Sequence, residues 1–219
     1  MNLWRWASLA GITFLAIALS FGRITGIQAC HVAPEPILAF EFVRTPANVA
    51  ALFPAACREA LVTAQHGGLW LDILGFVPVY SALLLLTLLA LGRENLGQRR
   101  LVRAGIALTV LAGLADQWEN GHLLTLLAAL PGDQPTIDAL IPAVRTKFFL
   151  LGVVELLIGG LHLSRPGWRK LAGAAIALGG LISIAGLFGN REWLTLGGTV
   201  AFVAIILTDW VLALRRVPT

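Results

Sequence analysis

Six stretches of this chain, near residues 4–21, 69–91, 104–130, 143–163, 171–189 and 194–214, are each long and apolar enough to cross a bilayer. A helix needs about 20 mostly apolar residues to traverse the hydrocarbon core. No water is present there to bond backbone N–H and C=O groups, so such runs become helices, which satisfy those groups internally. Charged residues make up only 13% of the chain, against about a quarter in a soluble domain. The expected fold is therefore all-α: a polytopic transmembrane helix bundle of about six spans, with residues 1–219 as one transmembrane domain.

Lys and Arg set the expected orientation. With the N-terminus inside, the cytoplasmic side holds ten basic residues: Arg5, Arg93, Arg99, Arg100, Arg103, Arg165, Arg169, Lys170, Arg215 and Arg216. The outside holds six: Arg23, Arg44, Arg58, Arg145, Lys147 and Arg191. The two short loops after spans 2 and 4 carry most of the bias, where the positive-inside rule is strongest. Both termini are expected in the cytoplasm, with the chain in a bacterial inner membrane. The net charge of +4 then marks helix ends. No Lys/Arg-rich run, zinc spacing or Gly-rich phosphate loop is present, so nucleic acid is not an expected partner. The first span, followed by "IQAC", also has signal-peptide character; the reading carried forward is an uncleaved first helix.

Residues 22–68 form the one large extramembrane segment, expected outside the cytoplasm. "RTPANVAALF" offers Thr45 as an N-cap with Pro46 at the first helical position. "FPAACREALVTAQHGG" repeats the pattern, with Gly67 as an expected stop. Two short amphipathic helices are expected there, lying on the membrane or capping the bundle. Both cysteines, Cys30 and Cys57, fall in this segment. In an oxidising compartment they are a candidate disulfide, the alternative being two buried thiols.

Small residues crowd span 5 (Gly173, Gly179, Gly180, Gly186), and Gly197-Gly198 recur in span 6. They allow close helix approach, either within the bundle or against a partner subunit.

The expensive residues are the polar ones within the spans. A carboxylate at a span centre costs about 2.5–3.5 kcal/mol, and each Leu or Ile returns only about 0.3–0.6. Asp116, Glu119 and Asn120 follow helical spacing and share one face of span 3. At 1.5 Å per residue, Tyr80, Asp72 and Lys147 of the neighbouring spans reach similar levels in the outer half of the membrane. A polar core of Asp72, Tyr80, Asp116, Glu119, Asn120 and Lys147 is expected, with Lys147 as counter-charge. Glu155 and Asp209 are lone acids in spans 4 and 6, and Asp209 is expected to pair with Arg215 or Arg216.

"FEFVRTPANVAALF", "LWLDILGFVPVYSALLL", "LADQWENGHLL" and "VRTKFFLLG" resemble a family of uncharacterised bacterial multi-pass membrane proteins. Its members carry in order an Asp…Pro-x-Tyr span, an Asp-x-x-Glu-Asn span and a Thr-x-Lys span. The resemblance covers roughly residues 40–150 and places Asp72, Pro78, Tyr80, Asp116, Glu119, Asn120 and Lys147 at matching positions. It implies a common polar core and no particular reaction.

Sharper chemistry has little to stand on. Glu119-x-x-His122 has the spacing of half a carboxylate-bridged di-iron site, which needs two such motifs; Glu119 and His122 are the only weak metal candidates, and no metal is expected. His122 and His162 fall near opposite membrane faces and cannot bracket one haem; His122 with His31 or His66 is the pairing left. No cofactor is expected. Ser81, Ser164 and Ser183 lack a nucleophile setting. Three functions stay open: binding or transport of a small molecule or lipid, an intramembrane enzyme on a lipid-like substrate, or an accessory subunit of a membrane complex.

Overall fold

In the computed structural model, which describes residues 2–94 and 96–215, the regular elements are helical throughout the described residues. In chain order they are α1 (Leu3–Phe21), α2 (Pro36–Glu41), α3 (Pro46–Leu52), α4 (Arg58–Leu71), α5 (Val77–Glu94), α6 (Arg99–Ala128), α7 (Gln134–Leu163), α8 (Arg169–Gly186) and α9 (Arg191–Leu214). Four helical stretches among the described residues are long and apolar enough to cross a membrane: Leu3–Phe21, Ala55–Glu94, Arg169–Gly186 and Arg191–Leu214. Their outward faces are apolar: Leu19, Leu74, Leu171 and Leu207 are all exposed. A water-soluble fold does not spend large hydrophobic side chains on its surface in this way.

The chain divides into two compact units. Unit 1 comprises residues 1–14, 79–113 and 147–219. Its best-defined pair is α8 with α9, which run antiparallel and meet through glycines. A Cβ on Gly179 would lie 2.7 Å from backbone atoms of Gly197 and Ala201. Gly173 approaches Gly159 of α7 just as closely. These glycines of α7, α8 and α9 thus let backbones touch inside the unit, whereas Gly160 and Gly198 meet nothing within 4 Å. Phe202 of α9 stacks on Phe14 at 4.8 Å, and Tyr80 meets its edge at 6.4 Å.

Unit 2 comprises residues 15–78 and 114–146. The expected cap holds: the Thr45 side chain accepts from the Asn48 N–H at 3.1 Å, with Pro46 opening α3. Cys30 and Cys57 are paired, with Cα atoms 6.2 Å apart. Gln65 of α4 donates to the Pro36 carbonyl at 3.0 Å, and Phe40 and Phe53 meet edge to face at 5.2 Å. These ties hold α2, α3 and α4 as one piece.

Two expectations are corrected here. Gly67 does not end a loop helix: α4 passes through it and continues, by way of residues 72–76, into α5, so Ala55–Glu94 is one 40-residue run. A glycine stops a helix by taking a left-handed backbone. Gly67 is not among the positive-φ residues; Gly68 instead packs against Ile24 and Ile37. Likewise, α7 begins at Gln134 rather than near residue 143. Asp133 caps it, accepting from the Thr136 N–H at 2.9 Å. Pro142 is absorbed inside the helix.

Candidate functional site

The sequence-predicted polar residues of unit 2 are brought together by an irregularity in the helix that carries Asp72. Residues Asp72–Phe76 form a π turn between α4 and α5. Pro78 lies just beyond it. A proline has no N–H for the carbonyl four residues back, and its ring clashes with that carbonyl. The chain answers by widening: the Val77 N–H reaches the Asp72 carbonyl, five residues back. Such turns free backbone groups and recur at functional sites.

One freed group is used at once: Gln117 of α6 donates its side-chain amide to the Ile73 carbonyl at 3.0 Å. On the next turn of α6, the Asn120 amide donates to Oδ2 of Asp72 at 2.5 Å, and stands 3.5 Å from Oδ1 of Asp116. The first is a short hydrogen bond; the second is at the outer limit of one. Asp116, Glu119 and Asn120 are all buried, at 3%, 1% and 2% exposure. Expected positions 72, 116, 119 and 120 therefore share one unit, with Asp72 and Asn120 in direct contact. Gln117 was missed, because a residue one position from Asp116 points to another helix face; only the π turn brings a carbonyl to meet it.

Tyr80 and Lys147 belong to unit 1. Tyr80 is buried beside Phe202. Lys147 is also buried, and its Nζ lies 4.4 Å from the centre of the Phe148 ring.

The histidines are placed individually. His66 accepts from the Trp70 indole at 3.3 Å. His122 lies beside Trp118, ring centres 5.8 Å apart. Among the described residues, no three His, Cys, Asp or Glu side chains form a group that could hold a metal ion.

Asp209 is a correction. It does not pair with Arg215, which lies over the Trp168 ring at 5.0 Å; Arg216 is outside the described residues. Asp209 accepts instead from Thr87 of α5. Glu155 is buried against Gly180 of α8.

A second polar cluster, built on Glu94 at the end of α5, was not foreseen. Its Oε1 accepts from the Trp4 indole at 3.0 Å and its Oε2 from Arg169 at 2.5 Å. Arg165 donates to its backbone carbonyl at 2.5 Å, and Arg169 also donates to Nδ1 of His162 at 3.2 Å. In the sequence these arginines read only as markers of sidedness; a Trp inside the run "RPGWRK" was the available sign of a shaped surface.

Comparison of the chain with protein-family models, with curated proteins and with solved structures gives no match.

Proposed function

We propose that the chain is a six-span protein of a bacterial inner membrane. Both termini face the cytoplasm, residues 22–68 lie largely outside, and the polar layer of unit 2 binds a small hydrogen-bonding molecule or lipid headgroup, as a binding or transport protein does. The observation that carries this reading is the Asp72–Asn120 bond, made at a π turn. Ionisable groups within membrane helices are expensive and mark ligand or ion paths. Here three acids and two amides gather where the helix itself departs from regularity. The spans α6 and α7, 30 residues each, have ample length to cross a core of about 30 Å. The ordered motifs shared with a multi-pass family of unassigned activity support a common polar core across that group.

Native mass spectrometry of the detergent-purified full chain tests the binding. A small molecule should remain on the wild type and be lost from Asn120→Leu and Asp72→Asn, with unfolding midpoints within a few degrees of the parent. Identical spectra for all three proteins refute it. Orientation has a separate check: after reduction, a membrane-impermeant thiol reagent should reach Cys57 from the periplasmic side of spheroplasts.

A further inference from the structure

Unit 1 carries a second site, which shares no residue with the Asp72–Asn120 pair. Here α5 and α7 end, α8 begins and α9 ends. An open cleft of about 440 Å³ lies there, lined by Glu94, Arg165, Trp168, Arg169 and Arg215. The tight turn from α7 to α8 that forms its wall depends on Gly167, whose φ of +73° other residues rarely adopt.

The charges do not balance. Among the described residues that line the cleft, three guanidinium groups face one carboxylate, that of Glu94. Glu94 divides its acceptors among Trp4, Arg165 and Arg169. Three donors stay buried without an acceptor: Nε of Arg165, Nη2 of Arg169 and Nε1 of Trp168. An orphaned buried donor is costly, and buried polar groups in folded proteins almost always find partners. Three on the residues of one cleft, all donors, describe the complement of a ligand made of acceptors. Arg215, exposed, rests on the Trp168 ring at the end of α9.

We propose that this cleft binds a phosphate group, that of an anionic phospholipid headgroup, with Arg165, Arg169 and Arg215 as its ligands and Trp168 donating its indole N–H. Arginine forks match phosphate oxygens in pairs. Arg215 lies over the Trp168 ring and belongs to the same lining. A lipid is favoured over a dissolved phosphate by position. Glu94, Arg169 and Arg215 stand at the ends of three stretches apolar enough to cross a membrane, which is the level of lipid phosphates. Basic pockets between helix ends are a recurrent headgroup site, and indole rings favour this interface.

The test is calorimetric titration of the detergent-solubilised full chain with dihexanoyl phosphatidylglycerol, its phosphatidylcholine counterpart and inorganic phosphate. Phosphatidylglycerol should bind saturably and phosphatidylcholine about tenfold more weakly, because its choline cation is repelled by the surplus arginine charge although its phosphate is the same. Arg215→Ala should weaken phosphatidylglycerol by a similar factor while leaving the unfolding midpoint unchanged, since Arg215 is exposed. Arg165→Lys, which keeps charge but not the fork, should also bind more weakly. Inorganic phosphate that competes as strongly as the lipid would keep the phosphate site and overturn its assignment to a lipid. Equal binding of both lipids, no binding of either, or an Arg215→Ala protein that binds like wild type overturns the site itself.

Discussion

Thr87 donates its hydroxyl to Oδ2 of Asp209 at 2.5 Å, joining α5 to α9 between residues 122 positions apart. Neither side chain is exposed beyond 0%. Asp209→Ala leaves the hydroxyl without its acceptor in a dry interior, which costs about 1–3 kcal/mol. Asp209→Asn retains an acceptor oxygen and should lose less than half as much. Unfolding midpoints in detergent order the three proteins as wild type, Asn, then Ala; an Ala variant as stable as the parent contradicts the bond's role.

The contact of α8 with α9 predicts unequal glycines. A methyl at Gly179 meets backbone atoms at 2.7 Å, and backbone cannot move aside as a side-chain tip can. Gly179→Ala should cost about 1–3 kcal/mol, the usual penalty for overpacking. Gly198→Ala enters open space and, through helix propensity alone, should be neutral or stabilising by up to about 1 kcal/mol. Equal effects at the two positions would argue against the close crossing.

Cys30 and Cys57 close a loop with a sequence separation of 27. In the chain-entropy picture such a cross-link contributes about 3.5 kcal/mol. A Cys30→Ser/Cys57→Ser protein should expose residues 30–57 to limited proteolysis at protease levels that leave the oxidised parent intact, and treating the parent with reductant should do the same.

Asp133 predicts a local pH effect at the start of α7. Its bonds to Thr136 hold the carboxyl below the ordinary aspartate value of 3.8. A depressed folded-state value means the cap's contribution is fully present above 3.8 and is lost as pH falls through the lower folded value. Hydrogen exchange of the Thr136 amide should therefore lose protection at acid pH in the parent. Asp133→Asn retains a capping oxygen that does not titrate, so its protection should not respond to pH. Asp133→Ala should lack protection at any pH.

The residues differ in how plainly they announced themselves. Thr45-Pro46 was legible because capping is local: one side chain, one N–H three residues on, one favoured backbone. The face of Asp116, Glu119 and Asn120 was legible for the same reason, since helical period alone fixes it. Gly67-Gly68 misled, because a glycine pair reads as a helix stop unless one knows that Ile24 and Ile37 fill the space beside Gly68. The run "GDQP" did hold the start of α7, an aspartate cap followed by proline in the first turn, but the apolar run that marks the span begins only near residue 143. The partner of Asp209 was beyond reach: nearby arginines looked natural, and nothing local points to a threonine on another helix. The π turn was equally hidden, since Pro78 announces a disturbance without saying which carbonyl it frees.

The bond between Cys30 and Cys57 makes the segment holding α2 and α3 a closed ring of covalent chain. A protease that cuts once inside that ring does not release either product. The two fragments migrate together under non-reducing electrophoresis and separate when thiol is added. A nicked protein can therefore keep both halves through purification, and the ring is the place to install a cleavage site or a reporter tag without dividing the molecule.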